Sequence, residues 1–155
     1  MGRKIQLEAI GTVRGGRAEV VNDNWGAIEA VIELDPERFG PEATASLGDF
    51  SHVVVVFHFD KVDPKTIEWG ARHPRENKAW PLVGIFAQRG KNRPNLVGVT
   101  TCELVRVDGR RIHVRGLDAV DGTPVIDIKP YMTGFEPRTP VREPQWSKEL
   151  MAGYW

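Results

Sequence analysis

The chain has 155 residues, 41% of them hydrophobic, which is enough for one domain with a sizeable core and argues against disorder. Its formal net charge of zero argues against a globally basic nucleic-acid binder. No apolar run nears the roughly 20 residues of a membrane span, "MGRKIQLEAIG" lacks an apolar signal region, and the single cysteine, Cys102, can form no internal disulfide. The expectation is a cytoplasmic protein.

The elements read mostly at period two. Ile5, Leu7 and Ala9 alternate with polar neighbours, as do Ile28, Ala30, Ile32 and Leu34, with Glu29 and Glu33 opposite; both predict half-buried strands. Asp35-Pro36 predicts a helix to about Leu47, interrupted at Gly40-Pro41. "SHVVVVFHF", Ser51 to Phe59, is apolar on both faces and predicts a central strand buried on both sides. Asp63-Pro64 predicts one helical turn. Val99–Val107 and Ile112–Leu117 flank "DGRR", a hairpin signal. "TPVIDI", Thr123 to Ile128, is a further strand closed by Pro130. Ser147 is expected to cap a final short helix before Gly153. With 16 glycines and 11 prolines for turns, the fold class expected is mostly β: a small closed barrel of about six to seven strands with a few short helices. It forms a single domain over 1–155, with a C-terminal extension from about residue 136.

Several chemistries are missing. "GTVRGG", Gly11 to Gly16, has neither the spacing nor the following helix of a dinucleotide-binding turn. There is no Walker A motif and no G-x-S-x-G elbow. His52 and His58 share a strand face, but six strand residues span about 20 Å, too far to hold one ion. No metal site is expected.

Charge is uneven along the chain. Residues 61–115 hold 12 of the 21 basic side chains and 5 of the 21 acidic ones. Within them lies "GIFAQRGKNRPNLVG", with Arg89, Lys91 and Arg93 in five positions. Pro94 stiffens this loop and holds Arg93 extended. Gly90 is expected to take a backbone conformation closed to side chains. Arg89 and Arg93 can grip a carboxylate or phosphate through paired hydrogen bonds, and Asn95 can read a ligand edge. The loop is either an anion site or a solvated hairpin tip. A second stretch, "GLDAVDGTPVIDIKPY", places Asp118, Asp121 and Asp127 within ten residues. Asp121-Gly122 makes a tight turn. Asp127 faces away from Ile126 and Ile128, toward Lys129 or an arginine of the first loop.

"FSHVVVVFHF", "VGIFAQRGKNRPNLVGVTTCEL" and "GLDAVDGTPVIDIKPY", in that order, resemble the tRNA methyltransferase O family, also called YaeB- or TsaA-like. Its pattern runs F-S-H, then G-[IV]-F-A-T-R-S-x-x-R-P-N-P-I-G, then D-x-x-D-G-T-P-[VI]-x-D-I-K-P-Y, and covers roughly Ile5 to Phe135. The resemblance implies a non-Rossmann barrel that binds S-adenosyl-L-methionine near a homodimer interface. It also implies methylation of N6 of threonylcarbamoyl-adenosine beside a tRNA anticodon. Carried over by position, it implies that Arg89, Phe86, Thr101, Asp60, Lys61 and the segment Asp118, Ala119, Val120, Asp121 contact the cofactor. Asp23, Asn24 and Trp25 stand where the family has a Pro-Arg-Gln-like segment and are expected to do the same, with Trp25 stacking on adenine or sulfonium. Lys91, Arg93, Asn95, Thr123, Asp127, Lys129 and Tyr131 would shape the substrate side. Asp118 and Asp121 are candidate bases, with catalysis by positioning alone as the alternative.

The sequence departs from the pattern at Gln88-Arg89-Gly90, Asn92 and Leu96-Val97. Where longer members have a C-terminal domain, this sequence reads "EPQWSKELMAGYW", a tail expected to pack on the barrel or on a partner subunit, with substrate stacking by Trp146, Tyr154 and Trp155 as the alternative. The alternative functions are a non-catalytic S-adenosylmethionine sensor or partner module, a methyltransferase on another small or nucleoside substrate, and a cofactor-free barrel for single-stranded RNA.

Overall fold

The computed structural model describes residues 2–155. Six antiparallel strands close into a barrel: β1 (Gly11–Arg14), β2 (Glu29–Leu34), β3 (His52–His58), β6 (Val97–Asp108), β7 (Arg111–Arg115) and β8 (Pro124–Pro130), in the order β1-β2-β7-β6-β3-β8. β1 pairs with β8 to complete the ring. Closure leaves no long unpaired edge. A separate ribbon joins the two-residue strands β4 (Ala71–Arg72) and β5 (Val83–Gly84). One α-helix, α1 (Gln145–Met151), follows the barrel. No described helix is long and apolar enough to cross a membrane.

The alternation of β2 sends Ala30, Ile32 and Leu34 inward. They meet Val13, Val53, Val55, Phe57, Ile112, Val114, Leu117 and Val125 in one core. As in other small barrels, side chains fill the interior. The hairpin closes at Gly109-Arg110 as expected, and Asp63 caps a 3-10 turn through the Lys65 amide at 2.9 Å.

Four expectations change. Residues 5–9 form no strand: Ile5 and Leu7 are exposed, and pairing starts only at Gly11. Gly40-Pro41 breaks the 36–47 segment more completely than expected, leaving 3-10 turns at Pro41–Thr44 and Leu47–Asp49. β3 is buried on its inner face only, since a closed barrel has one interior; Val54 and Val56 on the outer face are half-buried. Ser147 lies inside α1, behind Pro144 at the cap, and donates to Glu143 at 2.8 Å.

Cys102 faces the core at 3% exposure. Burial, and then the nearby Asp118 charge, push its thiol up to about 12. The unfolded chain loses that proton near the ordinary value of about 9, while the folded chain keeps it. The neutral thiol therefore contributes stability below pH 9, and that contribution is lost as pH rises towards 12. Urea unfolding at pH 8 and pH 10.5 is expected to show a smaller pH-dependent loss for Cys102→Ala than for the native chain. Equal losses would refute the assignment.

Candidate functional site

The loop after β7 alternates like a strand, burying Leu117 and Ala119 and leaving Asp118 half-buried between them. One Asp118 oxygen accepts from the Thr100 hydroxyl, the other from the Tyr154 hydroxyl. Thr100 reaches it because β6 turns that residue inward, where it is 6% exposed. At the other end of the strap, an Asp121 carboxylate oxygen accepts from the Gly15 amide at 3.0 Å. The Asp121 carbonyl accepts from Lys61 Nζ at 3.0 Å, and its amide donates to the Arg17 carbonyl at 2.7 Å. Residues 118–121 are thus held at both ends.

Arg17 ties this strap to the next wall. Its guanidinium donates to the carbonyls of Asp23 and Asn24, each at 2.5 Å, and lies 4.8 Å over the Trp25 ring. Asn24 adopts the left-handed region, which asparagine tolerates. The Asp23 carboxylate takes both terminal nitrogens of Arg75, at 2.9 and 3.3 Å. Arg17, Asp23 and Asn24 line a groove of roughly 400 Å³. Trp25 does not offer a free ring: it is 3% exposed beneath Arg17 and supports the wall from behind.

The basic loop spends part of its charge on its own architecture. Gln88 is buried and donates to the carbonyls of Arg72 and Val83 at 3.1 and 3.0 Å. Arg93 Nη1 returns to the Gln88 carbonyl at 2.6 Å, and Arg89 Nη2 donates to the Val99 carbonyl at 2.6 Å. Asn92 is tied to Thr66 at 2.6 Å. Gly90 does not take the expected conformation: its φ lies outside the left-handed region, and a Cβ there would meet only the movable end of the Arg72 side chain, at 2.9 Å. Asn95, exposed, takes the left-handed conformation at φ 66°. Lys91 is half-buried and Phe86 is 79% exposed.

Electrostatics join the three segments. Burial, then the Asp118 charge and its hydrogen bond, raise the Tyr154 phenol far above its ordinary range, while Arg75 and Arg89 pull it partly back. The phenol stays protonated and donates to Asp118. One carboxylate, one phenol and two guanidinium groups therefore share a field at the barrel rim.

The remaining sequence candidates lie elsewhere. Asp127 and Lys129 pair at 2.9 Å on the outer face of β8, opposite Val56 and Val54. Thr101 is on the outer face of β6, also opposite Val54. The Tyr131 hydroxyl donates to Glu136, and its ring meets His52 edge-on at 6.3 Å. Thr123 is 3% exposed, so its part is structural. Asp60 is exposed beside Lys61. Among the described residues no three His, Cys, Asp or Glu side chains gather as metal ligands. Sequence reasoning did not assign Arg17, Arg75, Thr100 or Tyr154 to the cofactor; the partners of the last three are distant in the chain, whereas those of the Arg17 side chain are six to eight positions away. The surplus of cations over 61–115 was the available signal for Arg75.

Comparison with known proteins identifies the family. The pattern of the tRNA-methyltransferase O N-terminal domain matches residues 22–136. A probable S-adenosyl-L-methionine-binding protein of Methanothermobacter thermautotrophicus is 33% identical over 83% of this chain and 90% of its own length. The human tRNA (adenine(37)-N6)-methyltransferase is 39% identical over 63% of this chain, which spans only 22% of that enzyme. A crystal structure of TrmO from Pseudomonas aeruginosa superposes with a TM-score of 0.72 at 27% identity, over 90% of this chain and 62% of the other. The barrel, the motif order and the extent of these matches place the chain in the tRNA-methyltransferase O family.

Proposed function

We propose that this chain binds S-adenosyl-L-methionine and methylates N6 of an adenosine in tRNA, the threonylcarbamoyl-adenosine beside the anticodon. The observation that carries this reading is the Arg17 link. It joins Asp23 and Asn24 to the 118–121 strap, which Lys61 holds from the far side. Asp23, Asn24, Lys61 and the strap 118–121, which stand at positions the resemblance assigns to the cofactor, meet in one tied network through Arg17. The adjoining groove of roughly 400 Å³ falls in the range of small-molecule sites. The donor set suits the ligand: carboxylates for its cationic centres and hydroxyls, arginines for its carboxylate, main-chain groups for adenine. The relatives named for S-adenosylmethionine and for tRNA adenine methylation support the same reading.

When bound, S-adenosylmethionine supplies a methyl group activated by positively charged sulfur. The residues of this chain orient that methyl against the incoming nitrogen. The cofactor would give up its methyl to N6, its carbon–sulfur bond breaking as the nitrogen–carbon bond forms and the N6 proton passing to solvent, while Asp23, Asn24 and the 118–121 strap would hold it. Asp118 already accepts two hydroxyl donors and Asp121 is tied into the Gly15 turn, so both orient rather than take protons. Alignment then does most of the catalytic work. The outer face supports a homodimer: half-buried Val54 and Val56 lie there, with exposed Val99 paired to Val56. Such a site would work in the cytoplasm, where tRNA is.

Calorimetric titration with S-adenosylmethionine, followed by labelled-methyl transfer to total tRNA, tests the reading. Binding and label at adenosine N6 are expected, from a protein sedimenting at twice the chain mass. Arg89→Ala is expected to weaken binding about tenfold, ~1.4 kcal/mol, with the fold intact. Binding without transfer would favour the sensor module, and no binding would overturn the proposal.

A further inference from the structure

We propose that Tyr154 is a positioning residue for the cofactor site, fixing the plane of the Asp118 carboxylate through its hydroxyl. This rests on the reading of that site as one for S-adenosylmethionine. Tyr154 lies beyond residues 22–136, the span of the family match. Its segment is nevertheless built into the site. The Asn24 amide donates to the Gly153 carbonyl at 3.0 Å, and the Trp25 amide to the Tyr154 carbonyl at 2.8 Å. Gly26 lies so close to the Trp155 main chain that a Cβ there would be 2.8 Å away. Further back, Trp80 Nε1 donates to Glu149 of α1 at 2.8 Å. The segment from α1 onward is therefore anchored on Asn24, which lines the groove, and on its neighbours Trp25 and Gly26.

The terminal torsion of an aspartate is broad and roughly two-fold. The Thr100 hydroxyl fixes one oxygen and leaves the plane free to rock. The Tyr154 hydroxyl on the second oxygen removes that freedom. A carboxylate held in advance loses less entropy when it meets a ligand. Arg75 and Arg89 face the same phenol and keep the cluster from being a lone buried anion.

Tyr154→Phe separates positioning from packing. It keeps the ring and both main-chain bonds and removes only the hydroxyl. Titration with S-adenosylhomocysteine, the demethylated product, is expected to show about tenfold weaker binding, with the melting temperature changed by only a few degrees. In an Asp118→Ala background the same substitution is expected to have no further effect, as coupling through one carboxylate requires. Unchanged affinity in Tyr154→Phe, or a full additive loss in the Asp118→Ala background, would overturn the assignment of Tyr154 alone. Failure of the native chain to bind S-adenosylhomocysteine would overturn both this inference and the cofactor reading. Should Tyr154→Phe melt early, the titration is run well below its melting transition: affinity equal to the native chain would refute the proposal, and a loss of about tenfold that disappears in the Asp118→Ala background would support it.

Discussion

Asp118→Ala is expected to raise the dissociation constant for S-adenosylmethionine by about 30-fold or more. The substitution removes the one carboxylate that joins β6, the 118–121 strap and the Tyr154 segment. For a half-buried carboxylate the low end of the roughly 2–5 kcal/mol range for truncating a charged partner applies, and 2 kcal/mol is already about 30-fold. A second effect follows in the free protein. The Thr100 hydroxyl, on a residue 6% exposed, loses its acceptor, as does the half-buried Tyr154 phenol. Leaving such a group unpaired costs about 1–3 kcal/mol. Asp118→Asn retains shape and one acceptor oxygen, so it should fall between the native chain and alanine in both affinity and stability. Calorimetry well below the melting transition measures the first effect and thermal melts the second. Native-like affinity in Asp118→Ala would remove this residue from the site.

Much of the barrel was legible because alternation and turn chemistry agree locally. β2, β8 and the β6–β7 hairpin each carry an inward face and a bounding turn. Ile5, Leu7 and Ala9 carry the same alternation but no pairing partner, and alternation alone does not make a strand. The four consecutive valines of β3 hid which face was the interior, since an apolar outer face reads the same in a buried sheet and in a barrel wall. The site was legible where a single segment held the information, as in the strap 118–121. It was illegible where a contact spans the chain: Arg75 meets Asp23 across 52 positions, and Tyr154 meets Asp118 across 36. Trp25 shows a different limit: Arg17 is only eight positions away, but no periodic pattern announces that it will cover the ring.

Phe57→Ala is expected to cost the fold about 3–5 kcal/mol, a large share of the roughly 5–15 kcal/mol typical of a native domain. Phe57 is 1% exposed on β3, the strand flanked by both β6 and β8. Its ring meets Phe59 edge-on at 5.3 Å. Directly across the ladder stands Gly98, where a Cβ would fall 2.6 Å from the Phe57 ring. The glycine is therefore the other half of the phenylalanine's packing. Thermal melts should show Phe57→Ala falling by roughly 10 °C, at about 2–4 °C per kcal/mol for a chain of this size. Gly98→Ala alone should also destabilise, by about 1–3 kcal/mol, because the new methyl overlaps the ring. In the Phe57→Ala background the overlap with that ring disappears, so Gly98→Ala should cost less there than in the native chain. A Gly98→Ala cost that is the same in both backgrounds would show that the ring and the glycine do not share that space. The coupling bears on function because β3 leads directly into Asp60 and Lys61, and Lys61 holds the Asp121 carbonyl. Loosening the barrel at Phe57 should therefore weaken cofactor binding before the chain unfolds, by freeing the strap at its Lys61 end.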